Sequence, residues 1–381
     1  MRRKIPDTVP VSPDISNMIP CRLTGKPYWD IYLYGNPPLS EAYMAAVRKF
    51  DFEAWMIHHP FIGGNTEFSF KENTTMSMAN ICVPNEIITS KILEKAEDKI
   101  IEEKIIKTPY GELETTTVFP REAPPWNKSK IIKDIKTDFK KLRWVMGEKW
   151  AFQEKCIGND KLGDDGIYAV AVELPVDWWH ALRHGGTQRA LMDYFDYKTE
   201  LEEIFEFYTN FAEARVKAAL KAKPDEILFS GSASSLSVIS PKIYKKYNLP
   251  FLKRLVKLCN DAGIIAHQHT CGRSWGVMEI NHAELGLDVM EPLEKPPTGD
   301  VDLAKAKKMF GDKFALKGNI STIGPLLNGT PKDVEKEVIE TLDAAKAGGG
   351  FILSTGDQVG GNTPLENLEA LVTAGRKYGK Y

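Results

Sequence analysis

The stretch "GIIAHQHTCGRSW", residues 263–275, sets His267, His269 and Cys271 on alternate positions at the end of an apolar run. The chain has only seven histidines and five cysteines, so three of these twelve lie within five residues. In an extended strand, residues two apart share a face. Imidazole nitrogen and thiolate sulfur both bind zinc, and a zinc site takes three or four protein donors. His269 and Cys271, at a strand end and followed by Gly272, therefore read as the core of a metal site that still lacks a ligand. Asp357, Glu291, Glu173 and His267 are the groups that could complete it. The competing reading is a buried histidine hydrogen-bonded to backbone beside an inert buried cysteine.

The other histidines carry weaker signals. His58 and His59 are adjacent in "MIHHPF", so at most one would face a site from a strand. His180 and His184 stand four apart in "WWHALRHGG" and are expected to share a helical face at the surface or rim. No glutamate follows His180, which excludes the zincin motif His-Glu-x-x-His. His282 reads as structural.

Chemistry at a strand end needs a scaffold that brings several strand ends together. Apolar runs at 167–174, 226–231, 264–269, 287–292, 314–320 and 351–355 alternate with amphipathic helical segments. Short buried strands, each followed by a helix, imply a parallel sheet. "SPKI", "TPKD" and "TPLE" place Ser or Thr at the N-cap and Pro at the first helical position. Glu366 is placed to close a capping box with Thr363. Gly263, Gly286, Gly311 and Gly348 fall where helices should stop.

Polar residues recur at the strand ends: Glu173, Ser230 and Ser232, His269 and Cys271, Glu291, Asn319, and Asp357. In a (β/α)8 TIM barrel these ends converge on one mouth, where catalytic groups collect. An open dinucleotide-binding sheet would carry Gly-x-Gly-x-x-Gly after its first strand, and neither that motif nor a Walker motif is present. The expected fold is a single (β/α)8 barrel over residues 1–381, with an irregular N-terminal region. "FDFEAWMIHHPF" (50–61) reads as a helix end entering a strand. "TEFSFKEN" and "ELETTTVF" read as hairpins, with an acidic-basic helix in the same region, and "FPREAPPWNKSK" (119–130) as a connection. Residues from about 65 to 150 are expected to be an insertion or lid on the barrel.

Composition narrows the function classes. Hydrophobic residues make up 43%, charged residues 27%, and the net charge is −2. That balance argues against nucleic acid as the main partner, because phosphate binding needs a basic surface. No window offers 18 uncharged apolar residues, so no membrane span is expected. "MRRKIPDTVPVSPDISN" has no apolar segment of the secretory type, and Asn-x-Ser/Thr matches such as those at Asn127, Asn319 and Asn328 then have no meaning. Five scattered cysteines (Cys21, Cys82, Cys156, Cys259 and Cys271) do not make a disulfide framework, and a cytoplasmic location is expected.

The order and spacing of "ISPKIYKKYNLPFLKRL", "HTCG", "GLDVMEPLEKPPTGDVDLAKAKKMFGDKFALKGNI", "LLNGTPKDVEKEV" and "GGGFILSTGDQVGGNTPLENLEALVTAGRKYG" resemble the uroporphyrinogen decarboxylase superfamily. Within it, the chain is most similar to the corrinoid-dependent methyltransferase branch, over most of residues 160–381. The resemblance implies a (β/α)8 barrel and a zinc ion held by His269 and Cys271 of the H-x-C-G motif. The family's third ligand is a cysteine in a Pro-Gly-Cys segment after the last strand; here that segment reads Thr355-Gly356-Asp357. Carboxylate also ligates zinc, so Asp357 can complete the site, with a less electron-rich and more Lewis-acidic metal. The expected activity is transfer of a methyl group between a small O-, N- or S-methylated substrate and a cobalamin-type corrinoid carried by a partner protein. Homodimerisation is left open. Glu173, Glu291 and Asn319 are the expected catalytic residues, and Trp275 and Ser232 the expected contacts to the corrinoid. The decarboxylase branch holds its substrate's carboxylates with an N-terminal Arg-Gln-Ala-Gly-Arg run, which this sequence lacks; the opening region offers only Arg22 and Arg48. A porphyrinogen-type decarboxylase and a non-catalytic corrinoid- or metal-binding protein are the alternatives.

Overall fold

The computed structural model describes residues 1–15, 17–58, 74–76, 82–148 and 162–381. After helices Met18–Thr24 and Leu39–Phe50 the chain enters β1 (Ala54–His58). Two antiparallel units follow. One is the short pair β2 (Thr74–Met76) and β3 (Cys82–Pro84). The other is a four-stranded sheet of β4 (Ile88–Lys95), β5 (Lys99–Thr108), β6 (Gly111–Pro120) and β7 (Trp126–Ser129). The chain then alternates strand and helix through β8 (Gly166–Glu173), β9 (Glu226–Ser230), β10 (Ile265–His269), β11 (Val289–Glu291), β12 (Ala315–Ile320) and β13 (Phe351–Thr355).

The seven strands β1, β8, β9, β10, β11, β12 and β13 pair in that order, every pair parallel. Parallel neighbours need a crossover between them, and helices supply it here. The Pro10–Ser12 segment lies between the two ends of the sheet. Leu353 N donates to Pro10 O and Ser12 N to Leu353 O, at 2.9 and 2.8 Å. On its other side, Glu53 N donates to Val11 O at 3.0 Å. The sheet is thus curled, and an early segment of the chain bridges its first and last strands.

Alternation along the strands separates two buried faces. Tyr168, Val170 and Val172 pack with the surrounding helices in the large core. Ala169 and Ala171 face the other way, with Trp55 and Leu228, and Ile265, Val289 and Ala315 form a further cluster. Strands covered on both faces are near-continuously apolar, which is why their sequences lack a polar face. A polar side chain on the inner face therefore stands out against its surroundings.

The N-terminal region corrects one expectation. The segment read as an acidic-basic helix is β4 and β5, joined by a turn at Ala96–Asp98 and paired antiparallel. The isoleucines decide it: Ile100, Ile101 and Ile106 are buried in the sheet, and β-branched residues favour a pleated surface over a helix. "ELETTTVF" forms the expected hairpin strand, β6. "TEFSFKEN" lies outside the described residues. The helix Ile135–Glu148 packs on helix Lys198–Lys221 through Phe139 and Phe207, whose rings meet edge to face at 5.6 Å.

The helix starts are partly as read. Ser240 caps Ile243, and Thr330 forms a full capping box with Asp333. Thr363 makes no such bond with the helix Leu365–Tyr378; its hydroxyl is buried without a hydrogen-bond partner. The capping box thus sits at the earlier of the two Thr-Pro starts.

Candidate metal centre

His269 is the last residue of β10, and Glu291 is its register partner on β11. The register brings His269 Nδ1 to 3.0 Å from Glu291 Oε1. Beyond His269 the backbone turns at Gly272, whose φ is +68°. A Cβ there would sit 2.6 Å from Ser237 Oγ and 2.8 Å from Ser235 Oγ, so the glycine of "HTCG" is needed for both conformation and space. Gly272 N donates to the Glu294 carboxylate, and Arg273 N to Ser237 Oγ at 2.9 Å. The loop carrying Cys271 is thereby held between the serine-rich loop after β9 and the segment after β11.

Asp357 arrives from two residues past β13, with φ of 153°, a backbone conformation that favours glycine. Its Oδ1 accepts from Gln358 N at 2.8 Å. The ligand atoms of His269, Cys271 and Asp357 all lie within 4.8 Å of one another, the one such grouping of His, Cys and acidic residues among the described residues. The three residues predicted as a set from positions 269, 271 and 357 therefore meet in space. All three are half-buried.

The electrostatics suit a cation. Burial pushes the Asp357 carboxyl up, and the charge of His269 opposes that only in part. Burial also disfavours charge on His269, but hydrogen bonds to Cys271 and Glu291 outweigh it and hold the imidazolium well above its ordinary range. A metal ion would take the place of that proton. With its Nδ1–H donated to Glu291, His269 has its Nε2 lone pair for an ion, the usual carboxylate–histidine–metal arrangement. Burial alone would raise Glu291, yet Lys317, His267 and His269 together hold it down at about 2. The donor set of imidazole, thiol and carboxylate fits zinc by type and number.

The remaining predicted residues scatter. Asn319 is buried, and its Nδ2 donates to Leu293 O at 2.9 Å. Glu173 ends β8 with its carboxylate 3.8 Å from Arg215. Ser232 is exposed on the loop after β9. Trp275 lines a cleft of about 590 Å3 with Leu236, Ile239, Arg273, Asp300 and Lys305. Its indole N–H donates to Glu279 at 2.9 Å, and Lys305 Nζ lies 4.6 Å from the ring centre. His267 is fully buried below the metal site, with Nδ1 3.0 Å from Glu226 and its ring stacked on Trp55 at 5.4 Å. Cys21 and Cys259 are buried thiols pushed up to about 12 by desolvation, inert beside the half-buried Cys271.

His180 and His184 do not share a helical face. The helix Pro175–Leu182 stops before His184, because Arg183 turns away to bond Asp193 and the carbonyls of Ile132 and Lys133. His180 is buried rather than at the rim, with both ring nitrogens unpartnered, and desolvation, aided by Lys130, lowers its pKa to about 4. His184 is exposed. His282 packs on Phe310 with ring centres 5.4 Å apart, a structural position as expected. His59 and the side chain of His58 lie outside the described residues.

Three residues near the centre escaped the sequence reading. Lys317 is 2% exposed and its Nζ bonds Glu291 Oε2 at 2.6 Å. Glu226 accepts from the Trp55 indole at 2.6 Å. Asp177, in the first turn of its helix, accepts from Ala233 N at 2.6 Å and from the Ser234 hydroxyl, and burial raises it to about 7 against those bonds. The available signal was a charge inside an apolar strand, as in "FALKGNI" and "EILFSG".

Comparison with known proteins agrees with the motifs. The sequence profile described as Uroporphyrinogen decarboxylase (URO-D) matches residues 159–378, more than half of the chain. The chain is 29% identical over 223 residues to "Methylcobamide:CoM methyltransferase MtaA" of Methanosarcina barkeri, covering 58% of this chain and 61% of that protein. It is 28% identical over 178 residues to "Methylcobamide:CoM methyltransferase MtbA" of Methanosarcina mazei, covering 46% and 48%. It is 27% identical over 168 residues to the uroporphyrinogen decarboxylase of Methylobacillus flagellatus, covering 44% of each. The match thus spans about three-fifths or less of these relatives' own length. A solved structure, "methyltransferase from Methanosarcina mazei", superposes with a TM-score of 0.65 over 99% of this chain and 96% of its own, at 19% identity, and shows the same fold. Among the described residues no helix is long and apolar enough to cross a membrane. The strand-end chemistry, the parallel sheet and the matched profile place this chain in the uroporphyrinogen decarboxylase (URO-D) family.

Proposed function

We propose that this chain is a zinc-dependent methyltransferase that moves a methyl group between a small O-, N- or S-methylated substrate and the corrinoid of a partner protein. The observation that carries the reading is the meeting of His269, Cys271 and Asp357 within 4.8 Å at the C-terminal ends of two strands. Such ends are where this class of fold collects its catalytic groups. The names of the methylcobamide-dependent relatives support the reaction class. In this reading the curled sheet, with Pro10–Ser12 as its eighth stave, is a closed (β/α)8 barrel. The region from about 65 to 150 is an insertion or lid within it, and the protein works in the cytoplasm.

His269, Cys271 and Asp357 would hold the zinc ion. Bound there, zinc supplies Lewis acidity, polarising the heteroatom that carries the methyl group or lowering the pKa of a substrate thiol. The protein's own contribution is alignment. In-line methyl transfer needs nucleophile, methyl carbon and leaving atom in one line, and little proton transfer. Glu291 fixes the ring of His269. The Ser235–Ser237 loop and Glu294 fix the backbone that carries Cys271. Asn319, tied to the Leu293 carbonyl, braces the ends of β11 and β12. Trp275, at the start of the helix Trp275–Glu284, and Ser232, on the loop after β9, are the side chains assigned to the corrinoid-bearing partner, with Glu173 at the neighbouring strand end.

The test combines metal content with turnover. The full chain, purified from zinc-containing medium, is analysed for metal and offered a panel of O-, N- and S-methyl compounds with cob(I)alamin as acceptor. Methylcobalamin formation is followed by absorbance. About one zinc per chain is expected, with loss of both metal and transfer in Cys271→Ser. Full transfer by a metal-free chain overturns the zinc assignment. Decarboxylation of uroporphyrinogen in place of methyl transfer overturns the reaction class.

A further inference from the structure

Three inner-face side chains lie side by side on consecutive strands. His269 on β10 is the register partner of Glu291 on β11. The register of β11 with β12 pairs Val289 with Ala315 and Met290 with Leu316, so the next step sets Glu291 beside Lys317. Glu291 bridges the row: Oε1 is 3.0 Å from His269 Nδ1, and Oε2 accepts from Lys317 Nζ at 2.6 Å. Glu291 and Lys317 are each 2% exposed. On its far side the Lys317 ammonium sits over the Trp55 ring, 2.9 Å from its centre. The indole N–H of Trp55 is committed to Glu226, which also holds His267 Nδ1.

A lysine here is a costly filler. The inner layers of such a sheet are ordinarily packed with apolar residues, and the other inner-face positions Ala169, Ala171, Leu228, Ile265, Val289 and Ala315 are apolar. Replacing a buried ion pair by apolar residues is often neutral or stabilising, so stability gives little reason for Lys317 to be there. Among the described residues its ammonium has one carboxylate in reach, and that carboxylate is the one that orients His269. Without Lys317, Oε2 of Glu291 would be an unpaired buried acceptor, and the carboxylate would be free to turn. Turned, it would no longer hold the ring of His269 in place.

We infer that Lys317 is a positioning residue for the metal centre: through Glu291 it fixes the ring and tautomer of His269 and so sets the affinity of the site for zinc. The inference rests on the metal reading above and adds a member that touches neither metal nor substrate. Removal of outer partners of a metal-ligating histidine typically costs about 10- to 100-fold in metal affinity.

The experiment measures zinc affinity of the full chain by competition with a chromophoric chelator, together with the absorption spectrum of the cobalt(II)-loaded protein. Cobalt(II) reports the geometry of the donors and the Cys271 thiolate bond. Lys317→Met is expected to weaken zinc binding about 10-fold or more and to shift the cobalt bands, at temperatures where its circular dichroism matches wild type. Zinc binding within twofold of wild type and an unchanged cobalt spectrum overturn the inference. Should Lys317→Met fail to fold, the charge-free pair Lys317→Met with Glu291→Gln serves instead, with the same weakened binding expected and wild-type affinity as the overturning result. A wild-type chain that takes up no zinc overturns the metal reading itself, and this inference with it.

Discussion

The imidazole of His269 and the carboxylate of Glu291 are register partners on adjacent parallel strands, 3.0 Å apart from Nδ1 to Oε1. Backbone pairing, not a flexible loop, sets this contact. One ring nitrogen is committed to Glu291, which leaves the other as the donor for an ion. A ligand held in this way loses little conformational freedom on binding, and a site on a strand end is more exact than one on loops.

Asp357 stands where the resembled family carries a thiolate. Asp357→Cys is expected to raise zinc affinity by about 10-fold, because thiolate is the softer and more electron-donating ligand. Competition with a chelator at neutral pH reads the change. Equal or weaker binding would show that the 357 side chain does not reach the ion.

Asp193 tests the scaffold below the mouth. It is fully buried and accepts from Arg183 Nε at 2.7 Å, from the Trp179 indole at 3.1 Å, and from Arg189 at 2.7 Å. Asp193→Ala leaves Arg183 buried without its carboxylate, and should cost about 3–5 kcal/mol. Chemical denaturation measures it. A loss below about 1 kcal/mol would mean that solvent replaces the carboxylate.

His180 makes stability depend on pH. Its folded pKa, lowered to about 4 by burial and by Lys130, lies below the ordinary value of 6.5. The folded state thus binds this proton less well than the unfolded state. The contribution is complete above about pH 6.5 and is lost as pH falls toward 4, to an extent of about 3 kcal/mol. His180→Phe, which keeps a ring against Tyr194, should lose less stability than wild type between pH 7 and pH 4. Identical pH profiles for the two proteins would contradict the assignment.

Thr330 and Thr363 begin two similar Thr-Pro helices, but only Thr330 closes a capping box. Thr330→Val should cost about 1 kcal/mol through the lost cap. Thr363→Val should cost less, since its buried hydroxyl has no hydrogen-bond partner to lose. Thermal melts of the two variants give the order directly.

The sequence by itself determined the alternation of strand and helix from 166 to 378, because buried parallel strands and amphipathic helices each leave a periodic trace. It also singled out the pair His269 and Cys271, which the fold brings together with Asp357. His269 and Cys271 are neighbours in sequence, and Gly272 marks the turn that follows them. Asp357 was legible because it lies just past a strand end, where the fold class gathers such groups. In the N-terminal region, local charge pattern misled: alternating Lys and Glu around the isoleucines of β4 and β5 fits a helix face as well as a strand, and only pairing with β6 decides between them. His180 and His184 misled in the same way, since their spacing implies a shared face only if the helix runs on past Leu182, and the contacts of Arg183 end it there. The tertiary structure alone decided the row His269–Glu291–Lys317. Those three residues stand on three different strands, and none of the strands shows which partner its neighbour brings. Their meeting depends on the register between strands, which no single strand encodes.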